Sequence, residues 1–314
     1  MNKMSAAILP FDQGVVPAWR QEVRGFAGIR YAHSNGVTGL AHLAHHDPLR
    51  VLFSRPAQGD VAQATLVNMS GGLIAGDRLD INFSVSENAA ALCVASAAEK
   101  IYRSTGDVSH INVDLYADQN AWAEWLPQET IFFNGARLRR TTRLNLAPGA
   151  RILAGEFLVL GRIASGETVT QGYLRDAWEV RLDGRLIWAD ALRMDGNFAA
   201  IGNAKAGLNG ARALATLVFA GAGVTECLDP ARALQQACGD GVRVSASCVN
   251  GVLVMRWLAV EPQALRAALG KFWAAFRHQA AGLPACLPRI WRIMIRCGCC
   301  FPDRRRAMWR RPPW

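Results

Sequence analysis

The chain has 314 residues, 51% of them hydrophobic and 19% charged, which excludes a disordered polar chain and leaves room for one large domain or two ordinary ones. Its formal net charge of +10 does not describe a nucleic-acid-binding body: residues 292–314 hold seven Arg and one Asp, whereas residues 1–291 hold 28 basic against 24 acidic side chains. Eight cysteines follow no recognisable secretory leader, since the apolar patch at residues 6–9 stops at Pro10, and no uncharged run reaches the ~20 residues of a membrane span, so we expect reduced thiols and a cytoplasmic protein.

Residues 1–19, with Pro10, Gly14 and Pro17, lack periodicity and read as a loose arm. From Gln21 polar and apolar residues roughly alternate, with Gly or Asn at the turns, which predicts strands through Tyr31 and again around Leu40. His42, His45 and His46 cluster ahead of Asp47-Pro48. Imidazole suits nickel, zinc or copper, but no nearby acid or thiol completes a ligand set, so a polar turn is the better reading. A strand over Val51 to Pro56 follows.

The most distinctive stretch is Asn68-Met69-Ser70-Gly71-Gly72-Leu73-Ile74-Ala75-Gly76-Asp77, between an apolar run and an alternating one. Gly71, Gly72 and Gly76 predict a strand–loop–strand unit whose backbone reaches positive φ or lies close against other chain. It is not a phosphate loop, because no Gly-Lys-Ser/Thr ending follows and Asp77 would repel phosphate. Residues 79–95 predict a hairpin turning at Glu87-Asn88. Lys100, Tyr102 and Arg103 next combine charge with an aromatic ring, as a solvated strand edge or a partner-binding surface would.

More short strands follow. Trp122 and Trp125 fall on opposite faces of one, leaving room for one of the two to be exposed. Arg137 to Leu146 alternates with a basic set that includes Arg140. Arg151 to Leu160 is apolar except for Glu156, an acid costly to bury unless paired or wet. Glu156 predicts either a structural salt bridge, with an Arg such as Arg162, or the wall of a polar channel. Asp190 raises the same pair of readings. Trp178 to Trp188 is a hairpin about Asp183-Gly184. The turn spacing predicts a mainly β protein, with a large many-stranded body of sandwich or β-helical layering to about residue 205. No strict repeat of 20–50 residues is present, so a propeller is unsupported.

Residues 206–291 predict an α+β end. Gly207 to Ala220 and Val242 to Val260 read as strands. Between them Asp229 and Pro230 open a helix to Cys238, and Glu261-Pro262 opens a second to about Gln279 with one apolar face. Residues 292–314 change abruptly to Arg, Trp and Pro and read as a frame-shifted or read-through disordered tail. Their Cys297, Cys299 and Cys300 lack the spacing of a structural zinc site.

No nucleophile elbow, zinc-protease helix or partnered cysteine stands out. On residues alone, the enzymatic alternative is an acid/base hydrolase using Asp77, Glu156 and Asp190. A resemblance points elsewhere. The glycine loop, Lys100-Ile101-Tyr102-Arg103-Ser104, Trp125 to Phe133, Leu160-Gly161-Arg162, Gly166-Glu167 and Pro288-Arg289-Ile290-Trp291 occur in the order and at about the spacing of the urease accessory family UreD (also called UreH). The resemblance covers roughly residues 20–291 and implies one domain there. It implies a non-enzymatic β-rich scaffold that binds nickel-free urease, recruits UreF and, through UreF, the GTPase UreG, with no tightly bound cofactor and no nucleic-acid or membrane partner. It also implies a polar internal route for transient nickel, and Asp77, Glu156 and Asp190 fall where that family places the route's acids.

Overall fold

The computed structural model describes residues 22–288, Ile290 and Trp291. The expected N-terminal arm and basic tail lie outside them. In chain order the strands are β1 (Arg24–Ser34), β2 (Val37–His46), β3 (Leu49–Phe53), β4 (Ala62–Asn68), β5 (Arg78–Val85), β6 (Ala90–Ala95), β7 (Glu99–Ile101), β8 (Ser109–Ala117), β9 (Trp122–Leu126), β10 (Thr130–Phe132), β11 (Arg137–Leu146), β12 (Arg151–Leu160), β13 (Gln171–Leu182) and β14 (Arg185–Asn197). Then come α1 (Phe198–Asn203), β15 (Ala213–Gly221), α2 (Leu228–Gln236), β16 (Val242–Val249), β17 (Val252–Ala259) and α3 (Pro262–Ala281).

The protein is mainly β, as its turn spacing implies, and the layering is that of a β-solenoid. The chain passes back and forth between two sheets, so that β5, β8, β11 and β13 stack in parallel in one and β4, β6, β9 and β12 in the other. The first sheet runs β14-β13-β11-β8-β5-β1-β2. The second runs β16-β17-β15-β12-β9-β6-β4-β3, with β7 and β10 paired beside β12 at a corner. The successive coils start their strands at residues 62, 90, 122 and 151. That is near-periodic geometry without a sequence repeat, because each coil needs only its inward residues to be apolar.

This arrangement corrects the expected hairpin over residues 79–95. The turn at Asn88 (φ 58°) sends β6 into the opposite sheet instead of back along β5. Alternation identifies a strand but not its neighbour, and both β5 and β6 are buried on the inner side. The hairpin over β13 and β14 does form, with Asp183 and Gly184 at φ 49° and 74°. The stretch Val242–Val260 splits into β16 and β17 at Asn250-Gly251, both at positive φ. His42, His45 and His46 belong to strand β2 rather than to a turn, and His46 stacks on Phe26 at 5.6 Å between centroids.

One core fills the space between the sheets, with Leu79, Ile81, Phe83, Leu115, Leu138, Ala154 and Leu158 among its members. A second lies on the outer face of the larger sheet. There α3 sets Leu265, Leu269, Phe272, Trp273 and Phe276 against Leu153, Phe157, Leu217, Phe219 and Trp257. Phe272 meets Trp257 edge-on at 4.9 Å, and Phe276 meets Phe219 at 5.4 Å. The larger sheet is therefore covered on both faces, and this overrides the expectation for the tryptophans: Trp125 is buried inward and Trp122 outward beneath α3.

The helices largely follow their signals. Pro262 occupies the first turn of α3, and Gly282 closes it at φ 66°. The other expected helix begins earlier than Asp229 suggested, because a 3-10 turn over Thr225–Cys227 runs straight into α2. The short α1 carries no strong sequence signal beyond its Asn197 cap, whose side chain accepts from the Ala200 amide. No described helix is long and apolar enough to cross a membrane.

Candidate functional site

The solenoid places one ion cluster in its inner core. Along β11, Arg140 and Thr142 keep the phase of Leu138 and Leu144, so the strand pleat points them inward. The parallel register sets Arg140 beside Asp176 of β13. Glu156 projects from β12 in the opposite sheet, in phase with Ala154 and Leu158. Arg140 donates from Nε and Nη2 to both Asp176 oxygens at 2.9 and 2.6 Å, and Nη1 reaches Glu156 Oε2 at 2.6 Å and Thr130 Oγ1 at 2.9 Å. Glu156 Oε1 accepts from Trp125 Nε1 at 3.0 Å and Thr142 Oγ1 at 3.3 Å.

All three charges are buried. Burial alone would lower the Arg140 pKa, but Asp176 and Glu156 hold it raised. Burial raises the Glu156 pKa in spite of Arg140. One guanidinium thus faces two buried carboxylates, one from each sheet.

Cavities meet this cluster from both sides. One, of about 540 Å³, lies between β12–β14 and β15–β17. It is lined by Glu156, Asp176, Trp178, Asp190, Arg243, Arg256 and Trp257. The other, of about 150 Å³, is lined by Gly71, Gly72, Glu99, Lys100, Trp125, Gln128, Thr130, Arg140 and Glu156. Glu156 belongs to both walls. The first cavity reaches the half-exposed Asp190–Arg256 ion pair (2.5 Å), and the second reaches exposed Lys100 and Gly71.

Of the acids singled out from sequence, Glu156 and Asp190 line one cavity and Asp77 lines neither. Asp77 is 3% exposed and accepts the amides of Val23 (3.2 Å) and Ile74 (2.9 Å), so it clamps the end of the glycine loop against the start of β1. Glu156 pairs with Arg140 rather than with Arg162, which lies beyond the end of β12 and grips Glu167 at 3.0 Å. Gly71, Gly72 and Gly76 all have positive φ. Tyr102 donates to the Gly71 carbonyl at 3.1 Å. Tyr102 and Arg103 also line a surface cavity of about 490 Å³ with Phe133, Asn134, Arg162 and Glu167, where Arg162 lies over the Phe133 ring at 4.6 Å. Among the described residues no group of three His, Cys, Asp or Glu side chains is placed to hold a metal ion.

Three participants escaped the sequence reading: Asp176, Glu99 and the inward role of Arg140. The strand phase marks the first and last of them, because Asp176 follows Leu174 and precedes Trp178 and Val180 just as Arg140 follows Leu138. Glu99 had no such mark. Its carboxylate accepts the Asn68 amide at 2.9 and 3.0 Å. Burial pushes its pKa from an ordinary 4.5 to about 7, against the Asn68 hydrogen bond and Lys100. The folded chain thus holds this proton more tightly than the unfolded one, and the associated stability falls as pH rises from about 4.5 through about 7. Glu99→Gln is expected to flatten that slope, measured as urea midpoints below and above the window. An unchanged slope would assign it to other groups.

The family model described as UreD urease accessory protein matches residues 23–292. This chain belongs to the UreD urease accessory protein family. It is 41% identical over 292 residues to the urease accessory protein UreD of Magnetococcus marinus, covering 92% of this chain and 99% of that one. Against UreD of a Methylobacterium species it is 42% identical over 282 residues, covering 88% and 98%, and against UreD of Paracoccus denitrificans it is 35% identical over 284 residues, covering 90% and 97%. Membership of the UreD family places the chain in urease maturation. The glycine loop, the Lys100–Arg103 stretch and the Arg162–Glu167 turn, which carry the resemblance, all lie on the corner that begins at β7 and β10.

Proposed function

We infer that this protein is a non-enzymatic scaffold that binds nickel-free urease, recruits UreF and through it the GTPase UreG, and offers nickel a polar path through its own core. The observation that carries the path is the double membership of Glu156, which forms a wall of both inner cavities. Glu99 on one side, Glu156 and Asp176 between, and Asp190 on the other give a spaced series of carboxylates. Oxygen ligands of this kind suit an ion that must move on, since thiolate or imidazole cages would hold nickel too firmly to release it. Nickel is cargo here, and no bond is made or broken.

The hydrolase alternative has little to support it. Asp77 is engaged by two backbone amides away from the other acids. Glu156 and Asp190 each face an arginine, which leaves no free carboxyl pair for acid and base roles. The deciding experiment is co-expression of a tagged copy with the urease subunits and UreF, followed by affinity purification. Recovery of urease and UreF with the tagged chain is expected. A chain that comes off alone would remove the scaffold reading.

A further inference from the structure

We propose that Arg140 is the gate of this path: its guanidinium is a built-in cation that fills the partition between the two cavities and must leave before a metal ion crosses. The proposal rests on the path described above and adds its closing element. Nη1 bridges Glu156 and Thr130, while Nε and Nη2 take up both oxygens of Asp176. The guanidinium therefore occupies the only position from which one cation serves acids of both sheets, among the contacts described. Asp176 is a wall of the larger cavity, Arg140 of the smaller, and Glu156 of both, so the side chain stands where the spaces would join.

Once the guanidinium moves aside, Glu156 and Asp176 offer a divalent ion oxygen ligands from opposite sheets. The smaller cavity also offers the displaced group somewhere to go. Thr130, which already accepts from Arg140, stands in register with Glu99 across β7 and β10, and Glu99 lines that same cavity. Arrival of a divalent ion at Glu156 and Asp176 removes the attraction holding Arg140, and its departure restores it. Monovalent ions compete poorly with a guanidinium that makes charge-assisted bonds to two acids, so the gate favours divalent cargo.

The first arm of the test needs no working urease. Full-length wild type, Arg140→Ala and the triple variant Arg140→Ala/Glu156→Gln/Asp176→Asn are melted with and without saturating nickel chloride. Arg140→Ala is expected to melt several degrees lower than wild type and to recover much of the loss with nickel, which takes the vacated place. Wild type and the triple variant should not shift. Nickel that leaves Arg140→Ala unmoved, or moves all three alike, overturns the gate. If Arg140→Ala does not accumulate, Arg140→Lys keeps a charge but loses the forked grip, and it should load urease faster than wild type at limiting nickel; equal or slower loading overturns the gate. Glu156→Gln in the assembled complex separates the two ideas. Slowed urease loading there, with no nickel effect on Arg140→Ala, leaves the path standing and removes only the gate, whereas normal loading removes both.

Discussion

Arg277→Ala lowers the free energy of unfolding by about 3–5 kcal/mol, the cost of leaving a buried carboxylate without its partner. Arg277 is 1% exposed and Glu124 is fully buried. Its Nε reaches both Glu124 oxygens at 3.1 and 3.0 Å, and Nη2 reaches Glu124 at 2.8 Å and Asp60 at 2.6 Å. Nη1 caps the Pro284 carbonyl at 3.0 Å. Glu124 in turn accepts the indoles of Trp122 and Trp273 at 2.7 and 2.9 Å. One arginine thus ties α3 to β9, to the loop after β3 and to the chain that follows the helix.

Removing the charge leaves Glu124 beneath a 20-residue helix with two indole donors and no cation. Chemical denaturation measures the loss. The triple variant Arg277→Met/Glu124→Gln/Asp60→Asn tests the cause, because neither acid that faced Arg277 is left charged and the amide oxygen introduced at position 124 still accepts from one of the two indoles. It should recover more than half of what Arg277→Ala loses. No recovery would mean that side-chain packing, rather than charge, sets the cost.

The same cluster shows what the sequence made legible and what it hid. The apolar face of α3 could be read from Leu265, Leu269, Phe272 and Phe276. Arg266 and Arg277 continue that face at the spacing of Gly270 and Trp273, yet a helical arginine is ordinarily taken for solvent-facing. Their burial depends on Glu129 and Glu124, acids far away in sequence. Strand existence, the turn at Asp183-Gly184 and the glycine loop were visible because each is local. Which strands neighbour one another was not, because parallel stacking pairs residues a full coil apart, as with Arg140 and Asp176. Glu156 could be singled out as an acid in an apolar run, but its partner lies across the core, where no periodicity reaches. Asp77 invited a ligand reading for the same reason that it clamps amides: a short carboxylate at a loop exit does either.

Gly72→Ala should destabilise the chain by about 2–4 kcal/mol and widen the mouth of the smaller cavity. Gly72 sits at φ 141°, and an added Cβ would lie 2.6 Å from the Lys100 carbonyl oxygen and 2.6 Å from the Tyr102 ring. Neither neighbour can yield cheaply. The Lys100 carbonyl accepts the Leu73 amide at 2.7 Å, and the Tyr102 amide donates back to Leu73 at 2.9 Å, so moving that strand breaks the bridge joining loop to β7. The Tyr102 ring meets Phe133 edge-on at 5.0 Å and its hydroxyl bonds the Gly71 carbonyl. Gly71 provides the control. It also has positive φ, 76°, but nothing lies within 4 Å of its added Cβ, so Gly71→Ala should cost only the backbone conformation, about 1 kcal/mol. Denaturation midpoints rank the two variants, and equal losses would show that backbone conformation alone demands these glycines. The expected ranking instead ties the loop to the strand beneath it. A close-packed Gly72 holds Lys100 and Glu99 at the rim of the cavity that leads to Glu156, so a defect in this loop should also impair urease loading before it unfolds the protein.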